Sequence, residues 1–373
     1  MRVAVVAEYY PRRDDPVLGI WAHRQALAAR DAGAEIVVFV LERIVARRGS
    51  KLRFAPRRPP LELEGLDVRY VRYLSPPRTI SYAQWGAFAA RELRRAIGEA
   101  GPFDLVHAHN AVPAGQAVRR ARPDLPLVVS VHGSDVLWTV SHVPRGAKTV
   151  RRTLGTARLV LANSAGIERL AREHGAPATR VVHLGTDLPP PSQRAAVPLL
   201  ATVAHLVARK RHADVVRALV ELPGVRYLVI GDGPERTRIA RLAAELGVSE
   251  RIELAGQLGH ADALSRSREA WLFVLPSTAE AFGVAYIEAM AAGVPAIGCC
   301  GEPGPQEIAS AGAGIVLVPP SDPRALAATI AELLGDHARR EALGHAARST
   351  VERSFSWQEC GRQTLAAYEA ALA

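Results

Sequence analysis

Two carboxylates, Glu280 and Glu288, stand eight residues apart in the stretch Pro276-Ser-Thr-Ala-Glu-Ala-Phe-Gly-Val-Ala-Tyr-Ile-Glu-Ala-Met-Ala-Ala-Gly-Val-Pro295. Partners on one helix face lie three or four apart, so this spacing gives the two acids different settings. The apolar run 271–275 reads as a buried strand, the segment from Val284 to Ala292 as a helix of good formers, and Gly293 as its C-cap. Glu280 then lies in the loop before the helix and Glu288 inside it. Between them, Ala281-Phe282-Gly283 offers backbone N–H groups at the positive end of the helix dipole, which suits phosphate. Hydroxyls at both ends and a diphosphate in the middle outline a nucleotide sugar. On spacing alone the alternative is two surface glutamates flanking an ordinary strand-to-helix turn.

Three further clusters carry polar chemistry. Leu127-Val-Val-Ser-Val-His132-Gly-Ser-Asp135 is an apolar strand that delivers His132 and Asp135 to its carboxyl edge, where open α/β sheets bind ligands. Asp135 serves either the ligand or the orientation of its own loop. Arg209 and Lys210 precede the helix expected over 213–222, and an arginine fork beside a lysine point charge suits a diphosphate; the alternative is a solvated basic turn. Only three lysines occur, Lys51, Lys148 and Lys210. His107 and His109 share one side of a strand, but no carboxylate or cysteine of suitable spacing accompanies them to complete a metal site.

The pattern Pro-Ser-x-x-Glu-x-Phe-Gly-x-x-x-x-Glu-Ala-Met-Ala-x-Gly-x-Pro resembles the donor-site motif of the retaining glycosyltransferases of family 4, which have the GT-B fold. The resemblance implies that Glu280 contacts the transferred sugar, that Glu288 contacts the ribose and that the Phe282-Gly283 backbone lies near the phosphates. It extends to His132-Gly-Ser-Asp135, whose histidine in the family contacts the donor sugar across the cleft, and to Lys210 at the position of the phosphate-binding lysine. His109 falls near the cleft with no assigned role. Ile230-Gly231-Asp-Gly233-Pro234 matches a family turn, Arg251 to Gln257 matches the strand giving base-side contacts, and Gly301 to Glu307 resembles the glycine-rich turn after the donor motif. Gly19 occupies a place where the family carries one or two glycines, and a plain turn glycine is the alternative reading. One departure stands out: the family's phosphate-binding arginine lies five positions before the lysine, where this chain has His205.

The resemblance implies transfer of a sugar from a nucleotide sugar to an acceptor saccharide, lipid or small molecule, with retention at the anomeric carbon and the site in a cleft between two domains. Arg209, Lys210, His205 and the helix terminus at Gly283 would stabilise the leaving diphosphate, so neither a metal nor another cofactor is expected. A sugar-nucleotide epimerase would alter the donor without an acceptor. A non-catalytic, membrane-bound scaffold would bind nucleotide without turnover, a reading against which intact Glu280, Glu288, Lys210 and His132 argue.

These residues need a scaffold of alternating strands and helices. With 373 residues the chain suits two domains, and 49% hydrophobic with 23% charged residues is an ordinary globular composition. The expected fold class is α/β, with two Rossmann-like domains of parallel strands over 1–190 and 195–354 and a terminal helix, 355–373, closing the first. Arg2 to Ala7, Glu35 to Leu41, Asp104 to His109, 159–164 and 180–187 read as strands of the first domain and Ile20 to Ala32 as a helix; the triple proline 189–191 reads as a stiff linker. Val45 to Pro60 is basic and proline-rich and reads as a mobile surface loop, facing either solvent or the acceptor. No apolar run reaches the roughly 18 residues of a membrane span, and the start runs straight into a strand with no signal peptide. Cys299, Cys300 and Cys360 show no metal spacing, which points to a reducing cytoplasm. The net charge of +10 is spread along the chain without a nucleic-acid motif, leaving an anionic membrane surface or a generally basic exterior as its meaning.

Overall fold

The computed structural model describes residues 1–12, 15, 18–44, 61–190 and 192–373. The segment 45–60 lies outside the described residues, as does Pro191 of the triple proline. The chain divides into two compact units, Met1–Leu184 with Trp357–Ala373, and Gly185–Ser356.

The first unit is built on eight strands: β1 (Arg2–Ala7), β2 (Glu35–Ile44), β3 (Leu61–Leu63), β4 (Leu66–Leu74), β5 (Leu105–His109), β6 (Leu127–Val131), β7 (Leu159–Ala162) and β8 (Thr179–Val181). Their order is β3-β4-β2-β1-β5-β6-β7-β8, parallel throughout except for β3, which pairs antiparallel with β4. Valines and alanines fill β1 because an interior parallel strand is covered on both faces and has no polar side. From β1 the chain winds outward to β2 and β4, then returns to the other side of β1 as β5. The strand order therefore reverses between β1 and β5, the place where open sheets part their loops to admit a ligand.

Helices cover both faces. In the helix Trp85–Ala100 the buried residues Trp85, Ala89, Leu93 and Ile97 recur every four positions, one apolar stripe against the sheet. The terminal helix Trp357–Leu372 packs on Ile20–Asp31, where a Cβ on Gly361 would lie 2.2 Å from the Ala28 carbonyl oxygen; only glycine permits that approach. Gln25 Nε2 donates to Thr364 Oγ1 at 3.1 Å in the same contact.

The second unit has six parallel strands: β9 (Leu199–Val203), β10 (Arg226–Ile230), β11 (Ile252–Gly256), β12 (Leu272–Val274), β13 (Ala296–Cys299) and β14 (Ile315–Val318). Their order is β11-β10-β9-β12-β13-β14, so here the reversal lies between β9 and β12. The two α/β units with parallel sheets are those expected from the sequence. Differences are local. β2 runs three residues beyond Leu41, the segment expected as a strand over 180–187 keeps regular pairing only over Thr179–Val181, and the helix expected over 213–222 is His212–Ala218 followed by a single 3₁₀ turn.

Candidate functional site

Lys210 and Glu280 meet at the strand reversal of the second unit. Lys210 ends a short 3₁₀ turn after β9, and Glu280 lies in the loop between β12 and the helix Val284–Ala291, so both arrive at the carboxyl edges of adjacent strands. Lys210 Nζ donates to Glu280 Oε2, and both side chains are largely buried. Ser277 Oγ donates to the same carboxylate oxygen at 2.8 Å. Two donors on Oε2 fix the plane of the carboxylate and direct Oε1 elsewhere.

The loop carrying Glu280 is held from several sides. Its own N–H donates to Glu302 Oε2 at 2.9 Å, its carbonyl accepts from Gly304 N at 3.0 Å, and Thr278 N donates to the Arg209 carbonyl at 2.8 Å. Ala279 takes φ 55°, the left-handed region that a residue with a Cβ seldom occupies, which turns the chain so that Glu280 faces Lys210. Gly283 begins the helix Val284–Ala291 at φ 83°, and a Cβ there would meet the Tyr286 ring at 2.5 Å. The helix N-terminus consequently opens on the same loop as Glu280, with leading N–H groups able to receive an anion.

The remaining residues singled out in the sequence are distributed as follows. Arg209 and His205 are exposed on the turn that carries Lys210. Glu288 lies on the helix Val284–Ala291, with Oε1 at 3.7 Å from His260 Nε2. The Phe282 ring is buried against Phe355 at 5.6 Å, so this residue has only its backbone to present to a ligand. Gly231 and Gly233 let the turn after β10 press on the chain after β9: a Cβ on Gly231 would sit 2.0 Å from the Ala204 oxygen, and one on Gly233 2.5 Å from the Leu206 oxygen. Gln257 is exposed just beyond β11. In the first unit a Cβ on Gly19 would lie 2.2 Å from the Tyr9 carbonyl, so that face of the glycine is filled by its own loop.

The carboxyl edge of the first sheet gathers a second polar group. His107 uses both ring nitrogens, Nδ1 with Tyr368 OH at 2.8 Å and Nε2 with Ser130 Oγ at 2.7 Å. His109 Nδ1 and His132 Nε2 are 3.0 Å apart, one ring donating to the other. Burial lowers all three histidines, His107 to about 3, His132 to about 4 and His109 well below its usual range, so the group is neutral at pH 7. Asp135 is buried, Oδ1 accepts from Val112 N at 3.4 Å, and burial pushes its carboxyl up to about 7.

Glu8, at the end of β1, was not singled out in the sequence. Burial raises it to about 7, partly offset by Arg78, and Tyr82 OH donates to its Oε2 at 3.4 Å. The signal that could have found it is positional: an acid directly after the first strand of a doubly wound sheet lands at the reversal point. Among the described residues there is no group of three or more His, Cys, Asp or Glu placed to hold a metal ion.

Comparison with known proteins places this geometry. The profile for glycosyl transferases group 1 matches residues 191–350, and that for the glycosyl transferase 4-like domain matches residues 19–187. A GDP-mannose-dependent monoacylated alpha-(1-6)-phosphatidylinositol monomannoside mannosyltransferase of Corynebacterium glutamicum is 27% identical over 332 residues, covering 80% of this chain and 83% of the relative. A D-inositol 3-phosphate glycosyltransferase of Mycobacterium tuberculosis is 34% identical over 242 residues, covering 57% of this chain and 50% of the relative, so the match spans half of that enzyme. Among solved structures, sucrose-phosphate synthase from Thermosynechococcus elongatus superposes with a TM-score of 0.78 at 22% identity, over 99% of this chain and 98% of its own. Anabaena HepE in complex with UDP and glucose gives 0.75 at 19% identity, over 98% and 99%. These likenesses establish the GT-B fold.

Proposed function

This chain belongs to the group 1 glycosyltransferases of family 4, enzymes that use nucleotide sugars, and on that premise we propose that it transfers the sugar with retention of anomeric configuration and without a metal ion. The observation that carries the proposal is the Lys210–Glu280 pair at the strand reversal of the second unit, beside the helix terminus at Gly283. Bond cleavage at the anomeric carbon puts charge on the leaving diphosphate. Lys210, held by Glu280, and the N–H groups of the helix Val284–Ala291 are a cation and dipoles fixed before the reaction, and such groups stabilise developing charge without reorganising; Arg209, exposed on the same turn, supplies a second cation. Glu280, with Oε2 occupied, turns Oε1 to the sugar; Glu288, farther along the helix, takes the ribose; and His132, held neutral by burial, takes a sugar hydroxyl. Phe282 and Gly283 contribute backbone only. Gly231, Gly233 and Gly19 shape the loops on which these contacts depend.

The relatives' names supply GDP-mannose as a donor and inositol-containing acceptors, and HepE was solved with UDP and glucose. The proposed donor class is accordingly a guanosine or uridine diphosphate sugar, and the proposed acceptor a hydroxyl of a saccharide, lipid or small molecule. Thermal stabilisation by a panel of nucleoside diphosphates and their sugars tests the donor, because a ligand of the native state raises the midpoint by mass action. Stabilisation by one diphosphate sugar over the others is expected; a flat panel overturns the proposal.

We further propose a cytoplasmic location with a peripheral contact to anionic lipid. Its support is the exposure of Leu74, Ile80 and Phe88 near Arg43 and Arg78, together with three free cysteines. Among the described residues no helix is long and apolar enough to cross a membrane. Co-sedimentation with vesicles containing phosphatidylserine, lost in Ile80→Asp, is the expected result; equal recovery with and without vesicles contradicts it.

A further inference from the structure

We propose that a cavity at the amino edge of the second sheet, lined by Arg194, Arg340 and Arg348, binds a small phosphate monoester at a site separate from the Lys210–Glu280 pair.

The cavity has a volume of about 250 Å³, and all of its lining belongs to the second unit. Trp271 and Pro295, two of the lining residues, directly precede β12 and β13. The cavity therefore lies at the strand ends opposite to those that carry Lys210 and Glu280. Three arginines face one carboxylate residue, Glu341, in this lining, with His337 and His345 beside them. Two positive charges are left in excess. A phosphate monoester carries about −1.5 to −2 near pH 7 and matches that excess, whereas a carboxylate would meet half of it.

The backbone holds each arginine in place. Arg194 donates through Nη1 to the Arg268 carbonyl at 2.6 Å and through Nη2 to the Gly293 carbonyl at 2.7 Å. Arg348 donates through Nη1 to the carbonyls of Pro189 and Ala291, both at 2.7 Å. Arg340 donates through Nη1 to the Leu333 and Leu334 carbonyls at 3.0 Å, and its guanidinium lies over the Trp271 ring, 4.4 Å from the centroid. Capping of helix ends accounts for each arginine alone, but not for the convergence of three on one cavity. A guanidinium has five N–H donors, and among the described residues Arg340 and Arg348 form hydrogen bonds through Nη1 only. Stacking on Trp271 occupies the face of Arg340 and leaves its edge, the fork that pairs with two phosphate oxygens.

Burial lowers the Arg194 guanidinium from its usual value; of its charged neighbours, Glu341 opposes the shift and Arg340 adds to it. A bound dianion relieves this crowding of like charge. Trp271, Ala292 and Pro295 give an apolar side for the carbon part of an ester. The volume equals that of about eight waters at roughly 30 Å³ each, room for an ester of a few carbons. It falls below the roughly 300–1,000 Å³ of pockets that hold drug-sized ligands, which excludes a nucleoside diphosphate.

The test is calorimetric titration at fixed ionic strength with inorganic phosphate and with glycerol 3-phosphate, on the wild type, His345→Glu, Glu341→Gln and Arg209→Ala. His345 and Glu341 are exposed on the helix His337–Ser354 and Arg209 is exposed on the Lys210 turn, so none of the three substitutions disturbs the core. Saturable binding of glycerol 3-phosphate by the wild type is expected, tighter than that of inorganic phosphate. It should weaken about fivefold in His345→Glu, which adds a negative charge to the cavity, and tighten about fivefold in Glu341→Gln, which removes one. Arg209→Ala should leave it unchanged. No saturable binding by the wild type, inorganic phosphate binding as tightly as the ester, or constants that neither cavity substitution alters would overturn the proposal. So would a loss confined to Arg209→Ala, which puts the phosphate at the donor turn instead.

Discussion

Lys210 and Glu280 form an ion pair across the strand reversal of the second sheet, with Ser277 donating to the same carboxylate oxygen as the lysine. A buried acid held this way is fixed in direction, and removing its cation leaves a charge with little access to water.

Lys210→Ala should therefore destabilise the ligand-free protein by about 3 kcal/mol, as expected when one partner of a buried pair is deleted, and Lys210→Ala combined with Glu280→Gln should recover much of that loss. Denaturant unfolding of the two single variants and the double variant checks this. Additive losses would mean that the pair does not act as a unit.

Ser277→Ala removes the second donor to Glu280 without touching the charge. Turnover should fall about tenfold, the effect of one lost hydrogen bond of roughly 1.4 kcal/mol, while affinity for the bare nucleoside diphosphate stays unchanged. Steady-state kinetics with calorimetric titration would show it; a matching loss of nucleotide affinity argues against a role in aiming the carboxylate.

Arg209 and His205 are both exposed on the turn that ends in Lys210. A guanidinium offers a planar fork of donors that an imidazole lacks, so at pH 8 Arg209→Ala should cost more activity than His205→Ala, on the order of 2 kcal/mol or more. Equal damage from the two substitutions would make His205 the phosphate or proton-transfer residue instead.

Asp135 makes a stability prediction with a definite sign. Its folded carboxyl is raised to about 7 by burial, above the 3.8 of the free group. The folded state resists ionisation, so this residue costs nothing below pH 4 and its full penalty above pH 7. Asp135→Asn should match the wild type near pH 4 and exceed it at pH 8 by on the order of 4 kcal/mol. Unfolding curves at the two pH values decide it, and a variant less stable at pH 8 would contradict the assigned burial cost.

The architecture was largely legible in the sequence because interior parallel strands are written as apolar runs, unbroken after the leading arginine in β1 and β10. The Glu280 loop was legible because a motif holds it within one local turn. What escaped was non-local. The hairpin of β3 and β4 has alternating and polar residues that do not read as a buried strand, and Glu8 acquires its raised pKa only when the folded chain buries it, with Asp135, more than a hundred positions away, adding to the rise. Phe282 reads in the motif as a backbone contact near the phosphates, and what its ring does is set by distant packing, on Phe355.

Retention is the most direct test of the proposed chemistry. With the preferred α-linked nucleotide sugar, a suitable acceptor and excess EDTA, proton NMR of the product should show an α-glycoside formed at an undiminished rate. A β-linked product, or turnover lost in EDTA and restored by magnesium or manganese, would contradict a retaining, metal-independent transfer at the Lys210–Glu280 site.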